Sequence, residues 1–163
     1  MKTYKKIICL LLAAFSCNAF SFSEQPYNQG YSPERDPFSD FELAVKDAQK
    51  NNTTVLLILG GDWCVWCHKL SSFMKKEDSV RERWDETFTT MKVNVSEENY
   101  NDEFLSYLPE PQGYPFFVMI NVEREIVGKK DTGSLESMWG GYSVSEFNQF
   151  IERWSDYNNS VKE

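Results

Sequence analysis

The chain has 163 residues, of which 41% are hydrophobic and 15% are aromatic. This length and composition predict a folded domain with one hydrophobic core rather than a disordered segment. The formal charge of −8 at pH 7 makes nucleic acids and anionic lipids poor partners, because both would repel an acidic protein.

The first 21 residues have the pattern of a secretory signal peptide. Three lysines within the first six residues precede an apolar stretch over residues 7–15, and small and polar residues follow. We expect cleavage after Ala19 or Ser21, and therefore an exported protein. Two alternatives stay open: a retained membrane anchor, for which the stretch is short, and a lipoprotein modified at Cys17.

The cysteine pattern is informative once the signal peptide is set aside. Of the four cysteines, Cys9 and Cys17 lie in or beside the apolar stretch, which leaves Cys64 and Cys67. An exported protein with two cysteines three positions apart has no disulfide framework. A disulfide that closes so small a loop constrains the unfolded chain little, so a purely structural role is not expected.

The region after the signal peptide divides into three parts. Residues 22–37 are polar and contain three prolines, and they are predicted to form a tether. A single domain is predicted over residues 38–157, followed by a short tail at 158–163.

The first predicted helix begins near Phe38 and ends near Asn51. Ser39 and Glu42 have the spacing of a capping box, and Phe38 and Leu43 have the spacing of a hydrophobic staple. The sequence therefore predicts that this helix starts at Ser39.

The remaining elements follow from the spacing of apolar residues. Strands are predicted at 55–59, 89–95, 116–122 and 125–129. Gly60-Gly61 lets the chain turn into a helix that runs to about Lys76, and further helices are predicted at 79–85, at 101–108, and from a capping box of Ser143 and Glu146 onward. The last two strands are joined by a tight turn, so parallel and antiparallel strands must mix in one sheet. The prediction is an α/β fold with a central mixed β-sheet flanked by helices.

The segment Trp63-Cys64-Val65-Trp66-Cys67 lies at the junction between the first strand and the following helix. A Cys-x-x-Cys pair in this position is typical of a dithiol redox site. Cys64 is expected at the helix N-terminus, where unpaired N–H groups and the helix dipole favour a thiolate. Cys67 follows one turn later and can attack a mixed disulfide formed by Cys64.

With these motifs the chain resembles the thioredoxin-fold proteins over residues 38–154. The stretch 62–67 matches the Trp-Cys-x-x-Cys signature, Gly113-Tyr114-Pro115 stands where the family has its cis-proline loop, and Lys92 matches a lysine of the middle strand. The resemblance implies a thiol–disulfide oxidoreductase with Cys64 as nucleophile and Cys67 as resolving cysteine. It also implies protein thiols as substrates and no cofactor or metal beyond the redox-active disulfide.

The wording of the motif is particularly similar to the C-terminal periplasmic domain of the bacterial transmembrane reductant transporter. This resemblance implies a periplasmic location and a membrane electron donor. It also implies that Pro115 presents a backbone edge beside Cys64 that can pair with a substrate peptide. Tyr114, Trp63 and Trp66 are then further candidates for substrate binding, although Trp63 can equally pack as core and Trp66 can fold onto the domain.

One position departs from the family. Thioredoxins carry a buried aspartate on the strand before the motif, and the matching residue here is Ile58. Asp62 could take over part of its role or simply be solvated. Lys92, without that aspartate, is expected to reach solvent as an ordinary strand residue.

His68 suggests an alternative of another class. Cys64-Val65-Trp66-Cys67-His68 satisfies the attachment motif of c-type haem, with His68 as an axial ligand. The motif follows a strand and two glycines, and haem explains neither Trp63 nor the loop around Tyr114, so redox exchange is the better interpretation. Structural zinc lacks a fourth ligand. His68 then remains a candidate modulator of the thiolate.

The direction of electron flow is the last expectation. Val65 and Trp66 place no positive charge between the cysteines, whereas a strong oxidase needs its reduced form heavily stabilised. We therefore expect a reductase or an electron relay. The alternatives are a disulfide-forming oxidase and a non-catalytic binding module on the same fold.

Overall fold

The computed structural model describes residues 26–161. Its helices are α1 (Pro37–Asn51), α2 (Val65–Lys76), α3 (Asp78–Thr87), α4 (Asp102–Leu105) and α5 (Val144–Ser160), with short 3₁₀ helices at Pro26–Asn28 and Thr132–Leu135. Its strands are β1 (Thr54–Gly60), β2 (Phe88–Asn94), β3 (Phe116–Ile120) and β4 (Ile126–Asp131). The predicted signal peptide, with Cys9 and Cys17, lies outside these residues.

The strands form one mixed sheet in the order β2-β1-β3-β4. β1 pairs in parallel with β2, and it pairs antiparallel with β3, which in turn pairs antiparallel with β4. The prediction of a mixed sheet flanked by helices is confirmed. Since β1 lies between β2 and β3, the segment that follows its carboxyl end at Gly60 starts in the middle of one edge of the sheet.

Side chains of β1 alternate between two buried layers. Leu56 and Ile58 join a cluster formed with α2, α3 and α5, while Val55, Leu57 and Leu59 join a second cluster formed with α1 and α4. A strand buried on both faces needs the continuous apolar run that the sequence shows. Each of these side chains contributes about 1.5–3 kcal/mol through burial, so the strand that precedes the cysteine motif is firmly held.

The start of α1 differs from the prediction. The helix begins at Pro37, and its N-cap is Asp36, whose carboxylate accepts hydrogen bonds from the N–H groups of Phe38 and Ser39. The predicted capping box of Ser39 and Glu42 was therefore wrong, because proline is favoured at the first helical position and an aspartate precedes it. The predicted staple was wrong as well, because Asp36 is the N-cap and Phe38 therefore lies inside the helix rather than before the cap; its ring contacts that of Phe104, at 5.1 Å between centroids.

Residues 26–36, predicted to be part of a tether, pack against the domain. Tyr27 and Tyr31 are buried, and the hydroxyl of Tyr27 donates a hydrogen bond of 2.6 Å to Asp47 on α1. Arg35 forms an ion pair with the buried Asp40. The polar composition of this segment concealed two aromatic anchors, which fix it beside the carboxyl end of the sheet.

The last helix follows its prediction at the start and exceeds it at the end. Ser143 caps α5 by accepting a hydrogen bond from the N–H of Glu146. Residues 158–160, predicted as tail, continue the helix, and the buried Asn158 bonds to the hydroxyl of Thr54 and the carbonyl oxygen of Thr87. Across residues 26–161 the structure contains no helix long and apolar enough to span a bilayer.

Candidate active site

The two cysteines lie at the junction between β1 and α2. Cys64 is the N-cap residue of α2, with extended backbone angles, and its Sγ accepts a hydrogen bond of 3.1 Å from the N–H of Cys67. The two sulfurs form a disulfide, with an S–S distance of 2.12 Å and a Cα–Cα distance of 5.2 Å. The positive end of the helix dipole and one otherwise unpaired N–H group are thus directed at the Cys64 sulfur.

Both cysteines are buried in this disulfide form. The exposed fraction is 3% for Cys64 and 2% for Cys67, although a position at the helix N-terminus would favour exposure of the first sulfur. Both belong to the cluster under α2, and Trp66 and Tyr114 pack against that cluster. The Cys64 sulfur is thus part of a buried cluster in the disulfide form.

The surroundings of Cys67 depend on the missing side chain of Gly60. A Cβ atom built on Gly60 would lie 2.5 Å from the Cys67 Sγ and 3.0 Å from both the ring carbon Cζ and the hydroxyl oxygen of Tyr31. Glycine is therefore required here, because any side chain would occupy the space that Cys67 and Tyr31 share. This contact joins the N-terminal segment to the second cysteine.

The loop of residues 113–115 lies against the motif. Tyr114-Pro115 is a cis peptide bond, as expected, and Pro115 is buried. The ring of Tyr114 meets the ring of Trp63 edge-on, at 5.5 Å between centroids. Trp63 is 58% exposed and donates a hydrogen bond of 2.7 Å from Nε1 to the carbonyl oxygen of Val95. Three of the four predicted substrate-binding residues are therefore brought together.

Trp66 folds onto the domain. Its ring meets that of Tyr142 at 5.6 Å between centroids, and the ammonium group of Lys69 lies 3.7 Å from the Trp66 ring centroid. The side chain is half-buried rather than fully exposed. Of the two interpretations that the sequence allows, the folded one holds.

The three candidate modulators lie around the motif in different settings. Asp62 and His68 are exposed, and the His68 Nε2 lies 2.7 Å from the backbone carbonyl oxygen of Asp62. Lys92 pairs in register with Ile58 across β1 and β2. Its Nζ lies 5.6 Å from the ring centroid of Tyr31, so it faces the N-terminal segment.

A thioredoxin-like family model matches residues 36–121, which is more than half of the chain. The chain belongs to the thioredoxin-like family. No curated protein sequence matches it significantly.

Solved structures share the fold of this thioredoxin-like chain. A disulphide isomerase from Xylella fastidiosa Temecula1 superposes with a TM-score of 0.57 at 18% identity, covering 82% of this chain and 96% of that one. The oxidised C-terminal domain of Neisseria meningitidis DsbD gives a TM-score of 0.49 at 17% identity, covering 76% and 96%. The reduced Schistosoma mansoni thioredoxin pre-protein gives 0.44 at 21%, covering 71% and 90%.

The thioredoxin-like fold and its Cys64–Cys67 pair together support a thiol–disulfide oxidoreductase, as the sequence predicts. Proteins of this family act through the redox-active disulfide itself. Within the described part of the chain, no group of three or more His, Cys, Asp or Glu side chains is placed to hold a metal ion.

A cleft of about 780 Å³ opens beside the motif of the thioredoxin-like domain. Four aromatic residues and three acidic residues are among those that line it: Tyr31, Trp63, Tyr100 and Tyr114, and Asp62, Glu97 and Glu98. The largely exposed Trp63 side chain therefore borders this cleft.

Sequence reasoning missed two tyrosines of this site, Tyr31 and Tyr142. Tyr31 lay in the predicted tether, and Tyr142 lay at the end of a predicted loop. The available signal for Tyr31 was its spacing of four residues from Tyr27, since two large aromatic residues are unusual in a solvated linker.

Proposed function

We propose that this protein is an exported, periplasmic thiol–disulfide reductase or electron relay that acts on protein thiols and disulfides. The observation that supports it best is the position of Cys64. Its sulfur caps α2, accepts a hydrogen bond from the N–H of Cys67, and is joined to the Cys67 sulfur. A thiolate at this position keeps a favourable electrostatic environment, and its partner thiol is already in attacking distance.

The reaction follows from this arrangement. The Cys64 thiolate attacks one sulfur of a substrate disulfide, and the other substrate sulfur leaves as a thiolate. The Cys67 thiolate then attacks the Cys64 sulfur of the mixed disulfide and releases the second substrate thiolate. The substrate gains two electrons, and the enzyme is left with the Cys64–Cys67 disulfide, which a donor dithiol must reduce.

The basic groups near the motif support the reducing direction. The basic side chains nearest the motif on α2 are His68 and Lys69, which both follow Cys67, and no basic residue lies between the two cysteines. Stabilisation of the Cys64 thiolate then comes mainly from the helix N-terminus, about 0.3–2 kcal/mol for one charge. Moving a dithiol from about −270 to −120 mV needs about 7 kcal/mol, which that contribution does not reach.

The location and the electron donor are parts of the same proposal. The predicted signal peptide supports export, and a reductase in an oxidising compartment needs a source of electrons. The resemblance of residues 62–67 to the periplasmic domain of the transmembrane reductant transporter supports a membrane-bound dithiol as that source.

The haem alternative has weaker support. It requires both sulfurs to bond to a porphyrin and His68 to act as a ligand. In the structure the sulfurs bond to each other, and Nε2 of the exposed His68 lies 2.7 Å from the carbonyl oxygen of Asp62. The mass of the purified exported protein is expected to equal that of the polypeptide alone.

The proposed direction can be tested with insulin as the substrate and dithiothreitol as the donor. We expect the protein to accelerate the reduction of insulin, because dithiothreitol restores the dithiol and Cys64 attacks the insulin disulfide. Cys64→Ser is the control and is expected to leave only the rate with dithiothreitol alone. The oxidised protein is expected to reoxidise reduced ribonuclease A slowly. Rapid reoxidation without any acceleration of insulin reduction would contradict the proposed direction.

A further inference from the structure

The second half of the reaction places a demand on Cys67. This residue must lose its proton before it can attack the mixed disulfide, yet its side chain is 2% exposed. Burial in apolar surroundings disfavours a thiolate. The residue at the position of the family's buried acid is Ile58, which is 4% exposed and has no polar group to offer. Some other group must stabilise the thiolate of Cys67.

Tyr31 is the polar side chain that the structure places beside the Cys67 sulfur. The site of the missing Gly60 side chain is 2.5 Å from the Cys67 Sγ and 3.0 Å from the Tyr31 hydroxyl oxygen. The two atoms are thus no farther apart than the sum of these distances, about 5.5 Å. At this limit one water molecule can bridge the two groups, and a shorter separation would allow a direct hydrogen bond to the thiolate. Because Gly60 has no side chain, nothing from that residue separates the two groups.

The environment of Tyr31 keeps its proton in place. The side chain is 7% exposed, and burial is the main reason why its pKa is raised well above the usual range. Tyr142 and Asp62 raise that pKa further by unfavourable charge interactions, and Lys92 faces the ring from β2. His68, on α2, points to the carbonyl oxygen of Asp62. Tyr31 is therefore suited to donate a hydrogen bond and is not suited to remove a proton.

We propose that the Tyr31 hydroxyl donates a hydrogen bond to the Cys67 thiolate and thereby speeds the resolution of mixed disulfides. This inference rests on the proposed function, since it concerns the resolving step of the same reaction. Tyr31 is a hydrogen-bond donor from the N-terminal segment, and it acts where the family's acid is replaced by Ile58.

Resolution of the mixed disulfide by Cys67 conserves protons and electrons. The Cys67 thiol gives its proton to water, and its thiolate is stabilised by the Tyr31 hydroxyl. The thiolate attacks the Cys64 sulfur, the bond between Cys64 and the substrate sulfur breaks, and the electron pair leaves with the substrate thiolate. Cys64 and Cys67 are oxidised to the disulfide, the substrate is reduced, and Tyr31 keeps its proton throughout.

The test uses Ellman's reagent, 5,5′-dithiobis(2-nitrobenzoate), in a background with Cys9 and Cys17 replaced by serine. Attack by Cys64 releases one thionitrobenzoate and leaves the second as a mixed disulfide, which Cys67 releases in a separate phase. For Tyr31→Phe we expect an unchanged first phase and a second phase slower by about tenfold near pH 7. That loss corresponds to an upward shift of about one unit in the pH midpoint of the second phase.

Tyr27→Phe is the matched control, because it removes a buried tyrosine hydroxyl from the same segment on the other side of the sheet. Both phases of this variant are expected to match those of the background protein, which keeps both tyrosines. Equal second phases in the Tyr31→Phe and Tyr27→Phe proteins would overturn the role of Tyr31. If the unsubstituted background fails to release the second thionitrobenzoate, the proposed function itself fails.

A second measurement keeps Tyr31 and does not depend on the folding of its variant. When Cys64→Ser is added to the background with Cys9 and Cys17 replaced by serine, Cys67 is the remaining cysteine, and the ultraviolet absorbance of its thiolate follows its ionisation with pH. With the hydrogen bond from Tyr31, Cys67 is expected to ionise at a pH no higher than in the same chain unfolded in urea. Ionisation at a clearly higher pH in the folded protein is the effect of burial alone, and it would overturn the proposal.

Discussion

Replacing Cys67 by serine is expected to trap Cys64 in mixed disulfides, whereas replacing Cys64 by serine is expected to trap none. The two sulfurs differ in their surroundings. The Cys64 sulfur caps α2 and accepts a hydrogen bond from the N–H of Cys67, whereas the Cys67 sulfur lies beside Gly60. Without Cys67 the mixed disulfide has no internal thiolate to resolve it. Both variants should reduce insulin no faster than dithiothreitol alone.

The trapped species can be counted by mass spectrometry after exposure to oxidised glutathione, followed by acid quenching. The variant with both residues replaced by serine is the control for any reaction at Cys9 or Cys17. Equal amounts of glutathione adduct on the two single variants would contradict the assignment of Cys64 as nucleophile. It would also remove the basis for the separate role of Cys67.

Gly60→Ala is expected to lower the free energy of unfolding by about 1–3 kcal/mol, the usual cost of inserting a methyl group into a filled space. The added Cβ would lie 2.5 Å from the Cys67 Sγ, which the disulfide and α2 hold in place, and 3.0 Å from the Tyr31 hydroxyl. Either the helix start or the N-terminal segment must move. Urea denaturation of the oxidised protein measures the loss.

Gly113→Ala is the control for this substitution. A Cβ at Gly113 meets no atom within 4 Å, so its effect is expected to stay within about 0.5 kcal/mol. Unfolding of the Gly60→Ala protein at the same urea concentration as the Gly113→Ala protein would show that the space between Cys67 and Tyr31 is not filled. In that case the proximity of the two groups, and with it the argument for Tyr31, would be lost.

The parts of the fold that the sequence predicts well are those set by strong local patterns. β1 is a continuous apolar run, and the pair of glycines that follows leads into α2, which ends at Lys76 as predicted. The capping by Ser143 is likewise predictable, because the residues just before it, Gly141 and Tyr142, offer no competing cap such as the Asp36-Pro37 pair that precedes Ser39. The cysteine motif could be placed on the fold for the same reason.

The parts that the sequence did not predict depend on contacts between distant segments. Cys64 is buried within a cluster that also contains residues of α3 and α5, far away in the sequence. The start of α1 was misplaced because two overlapping cap patterns compete there, and Asp36 with Pro37 prevails. The sequence could not predict that Tyr31 lies near Cys67, because both side chains border the space that a side chain at residue 60 would occupy.

The proposed direction of electron flow is tested most directly by the reduction potential of the Cys64–Cys67 pair, obtained by equilibration with dithiothreitol or glutathione redox buffers. With the helix N-terminus as the main source of thiolate stabilisation, the potential is expected to lie nearer to about −270 mV than to about −120 mV. A tenfold change in the equilibrium is about 30 mV, so these two values differ by about 10⁵-fold and are easily distinguished. A potential near −120 mV would contradict the reductase and make the protein an oxidase.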